Sequence, residues 1–419
     1  MFTFLTDSYD ALRGAPLTPF LAFFAYVWVV WSAKALAARR YRPVLAEPPA
    51  GLRASVIVPV YQEPEALFRR VLDAVCVDDP CELIAVVDGG DAGIAGVAGE
   101  YCDRVVRIPK LGKREAIAAG LYASDPTTDV VVIVDSDTVW APGTLHELLR
   151  PFGDPRVGGV TPRQSIFDAL EHPVRRLADW IEDIRYHLVV PAQSVVGQVG
   201  CLAGRTIAYR RTAFEPAVER LVAQRVLGVP QAVGDDRVLT NELLRTGWRT
   251  VYQSTAHVRT DAPSDWPTFW RQQLRWGRSS QRETLLSLPW LWRRPAALAC
   301  FATDIATPFA LYAVFALAVA HALHGGGSGG TATGLGFGVE VLLGYLGMVV
   351  SIGLRQVGHL RRRPADVVRL PLFVLQLTFV MVPLRLLAFA TMLHQGWSTR
   401  PAPRPWEGRH EAAVESSQY

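Results

Sequence analysis

Lysine is almost missing from this sequence: Lys34, Lys110 and Lys113 are the whole supply in 419 residues. Arginine carries nearly all of the basic charge, so a lysine inside a motif draws notice. Cysteine is sparse as well. Cys76, Cys81, Cys102, Cys201 and Cys300 form an odd, scattered set with no second close pair or His cluster, which argues against a zinc site and for reduced thiols in a cytosolic domain. No G-x-G-x-x-G or G-x-x-x-x-G-K-[ST] follows a strand-like run, which disfavours dinucleotide-binding and P-loop enzymes. There is no basic tail, no basic run interleaved with aromatics, and a net charge of only +4. Nucleic acid is therefore not the expected partner.

Apolar sequence is what the chain has in excess. Half of the residues are hydrophobic, and they gather at the N-terminus and beyond residue 296. Residues 17–33 (LTPFLAFFAYVWVVWSA) are interrupted only by Thr18, Pro19 and Ser32. Running on to Ala38 supplies the roughly 20 residues a helix needs to cross the hydrocarbon core. Arg39 and Arg40 follow this run, the reverse of a signal peptide, and the positive-inside rule puts what comes after them in the cytoplasm. Residues 296–322 and 336–354 read as two further spans, joined by the Gly-rich stretch 325–330. The loop behind them carries Arg355, Arg361, Arg362, Arg363 and Arg369, so it is expected in the cytoplasm, in agreement with two crossings. Residues 370–393 are apolar too, but Pro371, Pro383 and Arg385 interrupt them. The expectation there is a membrane-surface or re-entrant segment and a cytoplasmic C-terminus. The competing reading is one more plain transmembrane helix.

Between residues 55 and 259 short β-branched runs alternate with amphipathic stretches. SVIVPV (55–60) is a continuous apolar run of the kind that fills a central parallel strand. After it come EALFRRVLDAV as helix, LIAVVD (83–88), RVVRIP (104–109), a helix over 113–123, and VVVIVDSD (130–137). This alternation predicts an α/β fold with a doubly wound sheet and a ligand at the carboxyl ends of its strands. Acids stand at those ends: Glu63, Asp88, Asp91, Asp135 and Asp137.

Asp135 and Asp137 leave a buried strand one residue apart and should project the same way. Like-charge repulsion in such a pair is relieved by a shared proton or by a hard divalent ion such as Mg²⁺ or Mn²⁺ held together with substrate phosphates. The bland reading is an ordinary polar strand end. Asp88 ends the second strand, where it reads as a ribose- or base-binding acid. Lys113-Arg114 opens a helix, where two cations can hold a diphosphate or simply face water. Gly234-Asp235-Asp236-Arg237 precedes another helix: one carboxylate can cap it, and the other remains to serve as a base. Gln272-Gln273-Leu274-Arg275-Trp276 lies in an aromatic-rich helical stretch that also reads as a membrane-surface helix.

VIVPVYQE, VVDGGD, GKRE, VDSD, GDDR and Q-x-x-R-W, in this order, resemble the processive family 2 glycosyltransferases: cellulose, chitin and hyaluronan synthases. VDGGD, VDSDTV, VGGV, GCLAGRTIAYR, GDDRVLTNELLRTGWRTVY and ATMLHQGWSTR are closer to the hyaluronan synthases, the last resembling their gating loop. The resemblance implies a Rossmann-like glycosyltransferase A-type α/β domain with flanking transmembrane and interfacial helices. It divides the chain into an anchor and linker (1–50), a cytoplasmic catalytic domain (51–265), interfacial helices (266–295), a transmembrane or re-entrant region (296–400) and a polar tail (401–419). It implies inverting transfer from UDP-sugars to a growing extracellular polysaccharide at the plasma membrane. Asp88, Tyr61 and Glu63 would hold uridine, and Lys113, Arg114 and Asp135 the diphosphate region. Asp137 would ligate Mg²⁺ or Mn²⁺, and Asp236 would be the base. Gln272, Arg275 and Trp276 would hold donor phosphate and acceptor sugar, Cys201 would line the acceptor site, and Trp397 and Arg400 would close over the donor. A second copy or an additional channel subunit is left open as partner. Two other readings stand beside this one: a nonprocessive transferase acting on a lipid carrier, and an inactive nucleotide-binding sensor or scaffold.

Overall fold

A computed structural model describes residues 18–324 and 337–394. The chain divides into two compact units. Of the described residues, one takes in 37–298 and 388–394, and the other takes in the N-terminal helix up to Leu36 and those within 299–387.

The first unit is built on a single eight-stranded sheet ordered β3-β2-β1-β4-β7-β6-β10-β5. β1 (Ala54–Val60), β2 (Glu82–Asp88), β3 (Arg104–Ile108) and β4 (Val130–Val134) are mutually parallel, with β1 central between β2 and β4. Every residue of β1, β2 and β4 is buried, which is why these strands read as unbroken apolar runs rather than alternating ones. The second half departs from the doubly wound expectation. β5 (Thr138–Trp140) turns back to pair antiparallel with β10 (Arg249–Thr260), β6 (Val157–Ile166) runs parallel to β10, and β7 (Thr206–Arg210) lies antiparallel between β4 and β6. A separate two-stranded hairpin joins β8 (Arg225–Val226) to β9 (Val229–Pro230).

The pleat of β1 sends Val56, Val58 and Val60 into one core with Phe68, Val71 and Leu72, and Ile57 into a second core with Ile117, Phe214 and Leu239. The Lys113–Ala123 helix lies close on that second face. A Cβ at Gly120 would clash with Ile57 Cγ2 and stand 3.1 Å from Val86 Cγ2, so glycine permits the approach that sets the height of Lys113 above the sheet. The Trp266–Leu291 helix starts where Asp265 accepts the Thr268 N–H at 2.9 Å, an ordinary N-cap.

In the second unit, Tyr26 bonds Thr307 at 3.0 Å, while Trp28 Nε1 donates to Ser351 Oγ and Trp31 Nε1 to the Arg355 carbonyl, each at 3.1 Å. Among the described residues, three helices are long and apolar enough to cross a membrane: Pro19–Arg40, Pro295–Leu317 and Leu370–Ala390. A further helix, Phe337–Arg355, follows the second of these, but its described apolar stretch, Leu342–Arg355, is shorter than the span expected over 336–354. Residues 370–390 are not broken at Pro383 and Arg385 as the sequence led us to expect. The chain stays helical through Leu370–Gln376, a π turn at Leu377–Met381, and Val382–Ala390. A wide turn just before Pro383 relieves the clash that proline makes with the preceding turn.

Candidate active site

β4 ends at Val134, not at Asp137, and the residues after it form a tight turn in which the Thr138 N–H donates to the Asp135 carbonyl at 3.0 Å. The two carboxylates therefore leave a turn, not an extended strand, and take different partners. Asp135 Oδ1 accepts Lys113 Nζ at 2.5 Å. Asp137 Oδ1 accepts the hydroxyls of Thr138 at 3.1 Å and Thr260 at 3.3 Å, and its Oδ2 takes no hydrogen bond among the described residues. Burial pushes the Asp135 carboxyl up to about 6, against the pull of Lys113 and with the repulsion of Asp137. Burial and then Glu63 raise Asp137. Ser136 Oγ donates to Glu63 at 2.8 Å, which brings the end of β1 to this turn.

Lys113 also reaches Asp235 Oδ2 at 3.2 Å. Burial would strip its charge, but Asp135, Asp235 and Asp236 together hold its ammonium well above the ordinary range. The Asp235–Thr246 helix is capped by Gly234, in the left-handed region at φ 85°, with no side-chain bond. Neither aspartate is therefore spent as an N-cap. Asp236 Oδ2 accepts the Gly204 N–H at 3.3 Å and the Cys201 thiol at 3.6 Å, and its Oδ1 takes the Arg237 N–H at 2.7 Å. Burial and the adjacent Asp235 raise the Asp236 carboxyl. Asp235 moves down despite its burial, because Lys113 and Arg114 outweigh it. Burial, aided by Asp236, lifts the Cys201 thiol to about 12, so it remains a neutral donor beside that carboxylate. A Cβ at Gly204 would stand 3.4 Å from Asp236 Cβ and 3.5 Å from Lys113 Nζ. Gly204 thus lies in contact range of both Asp236 and Lys113.

This arrangement pairs one lysine with an acid from each of two loops and leaves a second acid facing a thiol and a backbone N–H. Residues 49–279 match the family described as glycosyltransferase like family 2. The chain belongs to family 2 of the glycosyltransferases. Among its relatives, the hyaluronan synthase of Streptococcus pyogenes is 29% identical over 366 residues, 84% of each chain. An N-acetylglucosaminyltransferase of Rhizobium leguminosarum bv. viciae is 30% identical over 356 residues, 82% of this chain and 81% of that one. A mannosyltransferase from Pyrobaculum calidifontis, solved in complex with GDP-Man and Mn²⁺, superposes with a TM-score of 0.59 at 19% identity, covering 94% of this chain and all of its own. That likeness is one of fold, and it makes the domain a glycosyltransferase A-type sheet.

Some candidates lie elsewhere than the sequence implied. The Arg114 guanidinium does not join Lys113. It is 2% exposed and donates to the carbonyls of Leu221 and Val233 and to Gln224 Oε1, at 3.0, 2.9 and 3.0 Å. Successive helical residues point about 100° apart, so one cation of the pair turns inward when the other faces the site. Asp88 is 6% exposed, and its two oxygens accept the N–H groups of Leu111 and Gly112 at 2.8 and 3.0 Å, fixing the turn that opens the Lys113 helix. The Tyr61 ring sits under Lys110 Nζ at 5.1 Å. Gln272 and Arg275 are half-buried on the Trp266–Leu291 helix and Trp276 is 38% exposed. Trp397 and Arg400 lie outside the described residues.

The structure adds residues that the motifs did not single out. Arg205 stands over the Trp276 ring at 5.7 Å, and its carbonyl accepts the Asp135 N–H at 2.9 Å. Arg282, 2% exposed, donates to the Val233 carbonyl at 3.0 Å, the one Arg114 also holds. Two buried guanidiniums thereby tie the Lys113 helix and the Trp266–Leu291 helix to the segment that leads into the helix of Asp235 and Asp236. Arg205 lies within GCLAGRTIAYR, but nothing in that string says what it faces.

The donor set can be tested for a metal. Among the described residues no three His, Cys, Asp or Glu side chains gather into a cage. What is present is oxygen: Asp137 with an uncommitted Oδ2, and Glu63 near enough to raise its pKa. A hard cation that keeps water and takes substrate phosphate oxygens fits so few protein ligands, whereas a thiolate- or imidazole-bound metal does not.

Proposed function

We propose that the chain transfers sugar from UDP-sugars by inverting single displacement and, in the manner of a hyaluronan synthase, extends an extracellular polysaccharide from the cytoplasmic face of the plasma membrane. The reading rests on Asp236, a buried carboxylate with raised pKa that is free of the helix cap and faces Cys201 and Gly204. In the transfer, the acceptor hydroxyl oxygen bonds to the anomeric carbon of the donor as the bond from that carbon to UDP breaks. Asp236 takes the hydroxyl proton, and Lys113 and Arg275 meet the charge that leaves with UDP. A divalent cation on Asp137, Mg²⁺ or Mn²⁺, would neutralise diphosphate charge when bound.

Tyr61 and Glu63 are assigned to the uridine side, with Asp88 shaping it through the Leu111–Gly112 turn, and Asp135 keeps Lys113 in place. Gln272 is assigned to donor phosphate, and Trp276 and Cys201 to the acceptor sugar. Trp397 and Arg400 are assigned to the donor's lid. Arg278 Nε donates to Thr391 Oγ1 at 2.9 Å and Arg282 reaches the Met392 carbonyl at 3.5 Å, so the chain entering that lid is held by the helix that carries Trp276.

The deciding experiment is UDP release from the purified protein in lipid across a panel of UDP-sugars, with sizing of the product. Release coupled to a polymer is expected. A glycolipid of fixed size would replace this reading with single-sugar transfer, and nucleotide binding without release from any donor would remove catalysis.

A further inference from the structure

Glu182 sits in the last turn of the Pro173–Ile184 helix, next to a π turn at Arg185–Val189, and π turns are frequent at functional sites. It is 5% exposed. Its Oε1 meets Arg205 at 2.9 Å, while its Oε2 stands 4.0 Å from Arg185 and has no hydrogen-bond partner. Arg205 donates in addition to Gln164 Oε1 at 3.2 Å, and Gln164 Nε2 in turn donates to the Ala203 carbonyl at 3.2 Å. The guanidinium so held is only 13% exposed. It lies over the ring of Trp276, a residue still 38% exposed.

The geometry points to Glu182 and Arg205 as a pair that positions the Trp276 ring for the acceptor sugar. A buried carboxylate and a planar guanidinium hold each other in one geometry only while both are present, since losing either leaves the other charge buried and unpaired. The cation over the indole face then fixes the tilt of a ring that would otherwise swing about its own side-chain bonds. Arg205 has a second hold on the centre through its carbonyl, which accepts the Asp135 N–H. That contact is made by backbone and survives replacement of the side chain. The Arg205 charge also bears on Asp137, so it is Glu182→Gln, which leaves that charge in place, that should weaken the grip on the acceptor and spare the grip on the donor.

The inference rests on the transfer reading above, and the experiment keeps the two apart. Donor KM, kcat and product length are measured for the wild type, Glu182→Gln, Arg205→Lys and Arg205→Met in lipid. Product length is the ratio of extension to acceptor loss, so it should fall about three- to thirtyfold in Glu182→Gln and Arg205→Met, the range of a partly desolvated cation–π contact. Donor KM in Glu182→Gln and Arg205→Lys, which keep the charge that faces Asp137, should stay within about twofold, because uniform donor binding is untouched. Arg205→Lys, which keeps the charge and loses the planar fork, should fall between. Unchanged product length in Glu182→Gln and Arg205→Met overturns the pairing. So does a donor KM that rises in step with the shortening in Glu182→Gln or Arg205→Lys, since that marks a general disturbance. Should Glu182→Gln fail to fold, Arg205→Lys decides by the same two outcomes. A wild type that releases no UDP from any UDP-sugar overturns the transfer reading itself.

Discussion

At the scale of single residues, the site is a contest between burial and pairing. Lys113 is shared by Asp135 and Asp235, and its field also lowers Asp236, whose carboxyl burial and Asp235 raise. A base works deprotonated, so activity should fall as pH drops through that raised pKa. Removing Lys113 removes a lowering influence, and in Lys113→Met the acid limb of kcat at saturating donor should move to higher pH. A limb that stays in place would separate Lys113 from the base. Asp236→Asn should reduce kcat by about 10²–10⁴-fold, the usual contribution of a general base, with the loss read from UDP release at saturating donor. For the metal, EDTA should abolish UDP release and Mg²⁺ or Mn²⁺ restore it, while Asp137→Ala should not be rescued by either ion. Full activity in that variant would take the ligand role from Asp137. Lys113, Asp135 and Asp236 stood out in the sequence because acids and a rare lysine sat at strand and helix ends. Asp235 as the second partner of Lys113, and Glu182 as the partner of Arg205, did not. Those pairs join residues far apart in sequence, and no local spacing records them.

At the scale of elements, strands and helices were legible where a period is strong. β1, β2 and β4 are unbroken apolar runs, and the 113–123 helix falls where the pattern puts it. The end of β4 was not legible, because VVVIVDSD keeps its strand-like character past the point where the Asp135 turn begins. The closeness of the Lys113–Ala123 helix to the sheet hangs on Gly120. Adding one methyl in Gly120→Ala should cost about 1–3 kcal/mol, the usual range for overpacking a core, read as a lowered midpoint of thermal unfolding. If the midpoint is unchanged, the helix is free to slide away from Ile57 and Val86, and a rise in donor KM would then report the displacement of Lys113.

At the scale of the whole chain, the arginines after residue 354 argue for a cytoplasmic loop, and hydropathy makes Leu370–Ala390 a candidate crossing. Crossings at both Pro295–Leu317 and Leu370–Ala390 would return the chain to the side it left, and Thr391 and Met392 are bonded to Arg278 and Arg282. The membrane-surface or re-entrant course expected from Pro383 and Arg385 puts the C-terminus on that same side, so we propose that it is cytoplasmic. A single cysteine at position 405 (Pro405→Cys, native cysteines removed) should therefore resist an impermeant maleimide in intact cells and react once the cells are opened. Labelling in intact cells would sink this topology and, with it, the lid role of Trp397 and Arg400.

The sequence by itself determined the α/β class, the apolar helices and the family, because each is written in short-range pattern: unbroken runs, periodicity, and acids in a fixed order along the chain. Tertiary structure decided which member of a motif faces the site. Lys113 and Arg114 are neighbours, but helical rotation gives one to the acids and the other to the carbonyls of Leu221 and Val233. Asp235 and Asp236 are neighbours too, and only folding separates the one held by Lys113 from the one that faces Cys201. The antiparallel half of the sheet was likewise decided in three dimensions, since strand pairing across long connections depends on burial of both faces and leaves no local mark in the residues that make it.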